Sequence, residues 1–236
     1  MKKKRVAITG LGLVTPAGND VASTWATLQA GRSMGAPITI FDASGFSTRI
    51  AAEVKGFDAR AVIDDRRLLK FANRSHAFAL AAADQALADA GVRPTPATSA
   101  RWGLSVGTGM MGMAWDDLSS LGLAAADGED VDPRRLQGSD TGRDPMVFCR
   151  AQTSAGLALL GRRYGIGGYS TSAHTACASG GQAVRGGQRS SRARQQRLRR
   201  ASSAHCRERA GWMWTVSSTG PRRSRTQVAD PSKSGP

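Results

Sequence analysis

Three times in this sequence a short apolar or β-branched run passes into glycines or other small residues and then into a helical pattern. Val6 to Ile8 leads into "TGLG" and then "NDVASTWATLQAG". Leu104 to Val106 leads into "GTGMMG" and then "MAWDDLSSLGLAAA". "GYSTSAHTACASGGQAV" reads as a strand, a tight turn and the start of a helix. Strands that alternate with helices in this way predict an α/β fold with a largely buried sheet.

The helices carry their own punctuation. Asn19 or Asp20 can cap the first, Val21, Trp25 and Leu28 repeat at helical spacing, and Gly31 ends it. "DRRLLKFANRSHAFALAAADQALADAG" is the strongest helical segment, with Leu69, Ala72, His76, Leu80 and Ala83 on one face and Gly91 and Pro94 closing it. His76 reads as a packed helix residue. "DPMVFCRAQTSAGLALLGRRYG" predicts a helix that begins near Pro145, a favourable first-turn position. "PITIFD" and "RIAAEV" are short strand candidates, and "DGEDVDPRRLQGSDTGRDP" is a long polar excursion.

A net charge of +15 over 236 residues suggests a nucleic-acid partner until it is divided along the chain. Residues 185–236 hold 13 Lys and Arg against 2 Asp and Glu, a net of +11, whereas residues 1–184 carry only +4. The body is an ordinary globular sequence, and the extreme basicity belongs to the tail. That tail is rich in Arg, Ser and Gly, lacks Phe, Ile and Tyr, and shows no sustained helical or alternating pattern. It cannot bury enough apolar surface to offset its ordering entropy, although "WMWTV" stands out within it. Two readings compete: a disordered basic tail, or a shifted coding frame, which in a GC-rich gene yields this composition. The break follows Val184, inside a helix that has just begun, whereas linkers start after an element ends; this favours the shifted frame. The sequence thus divides into 1–184 and 185–236.

The cysteines, Cys149, Cys177 and Cys206, are too few and too irregular for a disulfide framework. With no CxxC and three histidines, no zinc site is expected, and the neighbouring His205 and Cys206 read as a chance pairing. "MKKKRVAITGLGLVTPAG" is broken by Thr9, Gly10, Gly12 and Thr15, so it reads as a strand and loop rather than a signal peptide. No stretch approaches the roughly 20 apolar residues that span a membrane. A cytoplasmic protein is expected.

Two stretches carry chemistry. In "GTGMMG", Gly107, Gly109 and Gly112 match G-x-G-x-x-G, the glycines that bring backbone close to a dinucleotide pyrophosphate. Such a site should open the domain and be followed by an acid at the end of a second strand. Here it lies a hundred residues in, and the nearest acids, Asp127 and Glu129, fall in a polar loop, so a tight turn with close backbone packing is the better reading. In "HTACASGG", Cys177 sits where a strand gives way to a helix, among Ala176, Ala178, Ser179, Gly180 and Gly181. Small residues there permit a sharp elbow that presents a nucleophile. A cysteine facing a helix N-terminus meets unpaired N–H groups and the positive end of the dipole, which favour a thiolate. From these features alone, a nucleophile and a buried structural cysteine remain equally open.

At these residues the sequence resembles the discrete β-ketoacyl–acyl-carrier-protein synthases. "RVAITGLGLVTPAGND" is similar to their opening, the segment from Asp65 to Gly91 to their long early helix, "WGLSVGTGMMG" to the next strand and turn, and "HTACASGG" to their nucleophile motif. The four segments occur in order over residues 4–184. The resemblance implies the thiolase-like fold, two similar α/β halves layered helix, sheet, helix, sheet, helix, of which this is the N-terminal half. It implies a homodimer, or a heterodimer of ketosynthase type, and an acyl carrier protein as partner. The carrier is acidic, so a basic rim would help it dock. No cofactor is implied, because substrates ride on the carrier's phosphopantetheine. Cys177 would accept the acyl chain as a thioester, and malonyl carrier protein would lose carbon dioxide and attack it. A non-catalytic polyketide subunit lacks this cysteine, which places the sequence with the condensing type.

The family's second half supplies two histidines for decarboxylation, a structural lysine and one N–H of the oxyanion hole. None is assigned here, since the resemblance stops at Val184. His174 lies too near Cys177 to be one of the two histidines but could modulate the thiol. Cys149 reads as packing. Without the second half, apolar faces are left uncovered, so the chain is expected to be insoluble or molten and not to condense. Fatty-acid and polyketide synthesis are not distinguished. Two other functions stay open: polyanion binding by the arginine tail, which would be steeply salt-dependent although no nucleic-acid module precedes it, and a nucleotide-dependent oxidoreductase built on "GTGMMG".

Overall fold

The N-terminal apolar run has the composition of a strand but not the neighbours. In the computed structural model, which describes residues 6–109, 113, 115–127, 130–132, 134–135, 145–201 and 212–217, residues 6–14 pair with no strand. They lie along a helix instead. The N–H of Leu11 donates to Asp89 Oδ2 (2.9 Å) and that of Leu13 to Gln85 Oε1 (3.1 Å). A Cβ on Gly12 would stand 1.9 Å from the carbonyl oxygen of Ala82, so the approach requires glycine. A strand needs a neighbouring backbone, and helix side chains satisfy these amides in its place.

Helix α1 (Val21–Gln29) is capped by Asp20, whose Oδ1 accepts the Ser23 N–H at 2.8 Å. Its expected inner face is turned outward: Trp25 and Leu28 are 60% and 61% exposed, and Thr24 and Thr27 are buried instead. The strand candidates that follow form a minimal antiparallel pair, β1 (Ala36–Pro37) with β2 (Ile50–Ala51). Glu53 reinforces it by accepting from the N–H and hydroxyl of Thr39 at 2.8 and 2.6 Å.

The long helix expected from Asp65 to Gly91 is broken in two. After the short α2 (Ala59–Val62), α3 (Arg66–Leu69) stops, and α4 (Arg74–Ala90) starts afresh. Asn73 is the reason. Its side chain accepts the His76 N–H (3.0 Å), and His76 Nδ1 accepts the Asn73 N–H (3.2 Å), a reciprocal box that favours a new helix start over continuation. Gly91, at φ 62°, closes α4 as predicted.

β3 (Gly103–Thr108) is buried almost throughout. Helix α5 (Trp115–Ala125) and the two-residue strands β4 (Ala126–Asp127) and β5 (Asp130–Val131) follow. The single helix expected after Pro145 is again two, α6 (Met146–Ala151) and α7 (Ala155–Tyr164), and Gly165 ends the second at φ 59°. β6 (Ser170–Ala173) then leads through a 3₁₀ turn, Ala176–Ala178, into α8 (Ser179–Ala201). β7 (Trp212–Ser217) is the last described element.

The sheet runs β6–β3–β7, all parallel, with Leu104 opposite Ser170 on one side and Met213 on the other. Alternation along β3 separates two layers. Leu104 and Val106 join Leu80, Ala83, Leu87, Leu159 and Leu160 in the main core, toward α4 and α7. Ser105 and Gly107 face α8: Ser105 Oγ donates to the Ala183 carbonyl at 2.8 Å, and a Cβ on Gly107 would lie 2.5 Å from that of Ser179. One helix–sheet–helix unit of the expected five-layer arrangement is therefore present among the described residues.

The change of composition after Val184 falls inside a helix. α8 continues to Ala201, and "WMWTV" finds a backbone partner in β3. Arginine, glutamine and alanine are good helix formers even where no apolar stripe is present. Residues 202–211 and 218–236 of that tail lie outside the described residues.

Candidate active site at the β6–α8 elbow

Cys177 is exposed and free, in the middle of the turn that joins β6 to α8. The turn is sharp because Ala176 adopts φ 47°, the one left-handed non-glycine among the described residues. That conformation costs an alanine roughly 1–2 kcal/mol, so the surroundings must hold it. Ser179, 2% exposed, is the holder. Its Oγ accepts the Thr175 N–H at 3.0 Å and lies 2.7 Å from the carbonyl oxygen of Thr108 and 2.6 Å from that of Ala176. A hydroxyl has one proton to donate, so the two carbonyls share it. Gly107 allows the contact, since any side chain would meet backbone at the start of α8.

His174, three residues before the cysteine, is exposed, and its Nδ1 lies 2.6 Å from Thr108 Oγ1. Thr108, the last residue of β3, thus touches the elbow on both flanks. Sequence reasoning identified Cys177 and its small neighbours but missed Ser179 as a hub and Thr108 altogether. The serine is visible in the motif; its partner lies some seventy residues away, beyond the reach of local pattern.

The other singled-out residues lie apart from this chemistry. His76 is packed in α4, and burial pushes its pKa down to about 4. A Cβ on Gly156 of α7 would approach its Cδ2 at 3.3 Å. Cys149 is half-buried in the wall of a cleft of ≈ 360 Å³ lined also by Leu68, Phe71 and Leu159, with Arg67 and Arg162 contributing charge. Asp117 and Arg150, which no motif flagged, form a largely buried two-point ion pair of 2.7 and 3.2 Å between α5 and α6. Of the dinucleotide candidates, Gly107 is consumed by packing against α8, and Asp127 lies in β4. Gly112, Glu129, His205 and Cys206 lie outside the described residues. Among the described residues no three His, Cys, Asp or Glu side chains gather to hold a metal ion, and no helix is long and apolar enough to cross a membrane.

Parallel strands in a layered α/β frame thus carry a cysteine on a braced elbow at a helix start. The sequence profile of the family "Beta-ketoacyl synthase, N-terminal domain" matches residues 3–212, and the chain belongs to that family. The match runs beyond Val184, where the resemblance was expected to stop. The chain is similar to the 3-oxoacyl-[acyl-carrier-protein] synthase 2 of Coxiella burnetii, with 36% identity over 76% of this chain and 40% of that protein. It is 34% identical to a polyketide β-ketoacyl synthase of Streptomyces cyaneus, over 77% of this chain and 41% of the other. Among solved structures, the ishigamide ketosynthase/chain length factor superposes with a TM-score of 0.63 and 29% identity, covering 80% of this chain and 44% of that one. These neighbours bear out the thiolase-like fold. The chain spans about 40% of the length of the curated relatives it matches.

Proposed function

We propose that Cys177 is the acyl-accepting nucleophile of a β-ketoacyl–acyl-carrier-protein synthase. Its thiolate attacks the carbonyl carbon of an acyl group carried on phosphopantetheine and expels the carrier's thiolate, leaving an acyl-cysteine thioester. In the full reaction a malonyl carrier thioester loses carbon dioxide, and the carbanion left behind attacks that thioester. A carbon–carbon bond forms, and the cysteine thiolate departs. The observation that carries this reading is the exposed thiol on a left-handed elbow at the start of α8. The names of the relatives support an acyl carrier protein as partner, and no further cofactor is required.

Residues 1–184 supply the acyl-accepting step. Decarboxylation requires groups assigned to no residue here, so this chain alone is proposed not to condense. A second subunit is proposed to cover β6. Its outer edge pairs with no strand among the described residues. The exposed Ile8, Leu11, Trp25 and Tyr169 mark further surface suited to cover.

The test is transfer from acyl-loaded carrier protein to the 236-residue chain, read by intact mass and peptide mapping. An acyl adduct on Cys177, absent from Cys177→Ser, is expected. An adduct that persists in Cys177→Ser, or none on Cys177 while the carrier remains loaded, rejects the assignment.

A further inference from the structure

We propose that His174 and Thr108 form a clamp that positions Cys177, with His174 acting as a positioning residue for acyl transfer; this rests on the reading of Cys177 as nucleophile. The geometry is specific to both sides of the elbow. Thr108 uses its hydroxyl to hold His174 Nδ1 at 2.6 Å, three residues before the cysteine. It uses its carbonyl to take the Ser179 hydroxyl at 2.7 Å, two residues after it. One residue at the end of β3 therefore pins both flanks of a turn whose first residue, Ala176, is in a conformation alanine avoids. Ser179 also accepts the Thr175 N–H, which ties the two flanks to each other.

The two arms differ in kind. The Ser179 arm is buried and links backbone to side chain, so it belongs to the folding of the elbow. The His174 arm is exposed and joins two side chains, so it can be removed without opening the core. It does not depend on one tautomer. An imidazole with a bare Nδ1 accepts the threonine proton, and an Nδ1–H donates to the threonine oxygen. The clamp thus holds the strand end that feeds the elbow in either tautomer, and His174 needs no contact with substrate to matter.

The test is the rate at which a chloroacetamide alkylates Cys177, measured by peptide mapping, with Cys149 in the same molecule as internal reference. In the unmodified chain Cys177 is expected to react faster than the half-buried Cys149. Thr108→Val and His174→Ala should each slow Cys177 about fivefold with Cys149 unchanged, the effect of one hydrogen bond. The double variant should show the same fivefold loss, because both changes remove one contact. Thr108→Ser and His174→Asn, which keep a polar atom in reach, should restore most of the rate. Unchanged rates in the single variants, a multiplicative loss in the double variant, or failure of Thr108→Ser to restore would each overturn the clamp. If Cys177 reacts no faster than Cys149 in the unmodified chain, the nucleophile assignment fails first, and the clamp with it.

Discussion

Helices α4 and α8 flank the same strand and are specified in opposite ways. α4 carries its instructions within itself: a capping box at Asn73 and His76, a left-handed glycine at Gly91, and an apolar face of Leu80, Ala83 and Leu87. α8 carries almost none. Its inner face is made of small residues, Ser179, Ala183 and Gly186, pressed against the serine and glycine face of β3. α4 is held by area removed from water. The described start of α8 is held by close approach of backbone and by hydrogen bonds that only small residues permit. The helix that presents the thiol is thus the one whose packing leaves least tolerance, and this is what fixes the position of Cys177.

The comparison predicts different failures. Gly107→Val carries the largest expected effect. A branched side chain would meet backbone at the start of α8, and overpacking against backbone should cost more than about 4 kcal/mol and destroy the elbow. Urea unfolding followed by circular dichroism, together with Cys177 alkylation, should show both losses. Leu80→Ala removes a side chain 2% exposed from the α4 face and should cost about 3 kcal/mol. Below its new midpoint it should leave the ratio of Cys177 to Cys149 alkylation unchanged. A changed ratio under native conditions would mean that the two layers are not separable.

His76 should make stability depend on pH. Its folded pKa, about 4, lies below the ordinary 6.5 because burial disfavours the charged ring. As pH falls between those values, the unfolded chain takes up a proton that the folded chain refuses. Stability is therefore full above about pH 6.5 and declines toward pH 4, by up to about 3 kcal/mol. His76→Gln, which retains a partner for the capping box, should flatten this dependence while leaving that of the carboxylates. An unchanged slope would remove His76 from the account. Asn73→Ala tests the cap alone and should cost about 1 kcal/mol.

Local rules made legible what α4 shows and little of what α8 shows. The Gly91 stop, the helix starts near Asp20 and Pro145, and the β3 and β6 strands all follow from residues adjacent in sequence. The split at Asn73 rests on a local cap that the helical periodicity through Leu69, Ala72 and His76 masks. The outward turn of Trp25 and Leu28, and the unpaired run from Val6 to Val14, were not legible, since both depend on which surfaces find neighbours. At the site, Cys177 and its small residues announced an elbow. The partners that hold it, Thr108 and Gly107, come from a strand distant in sequence, and a row of serine, alanine and glycine has no hydropathy signal to betray a buried helix face. Beyond Val184, where Arg185 interrupts the apolar pattern, Gly187 is buried with no such signal in its neighbours.

The smallest expected effect sharpens the contrast most. Arg189 is exposed on α8, and no ion pair with it is formed among the described residues. If α8 is held by its small inner face alone, Arg189→Ala should change stability by less than about 0.5 kcal/mol. The elbow should react as before, because the change lies more than two turns past Ser179. If the basic outer face contributes through repulsion among its arginines, the substitution should stabilise the chain at low ionic strength and lose that effect near 1 M salt, where the screening length is about 3 Å. Urea unfolding at the two salt concentrations separates these cases. A destabilisation of 1 kcal/mol or more would show that α8 depends on its charged face as well, and the distinction between a self-specified α4 and a sheet-specified α8 would have to be redrawn.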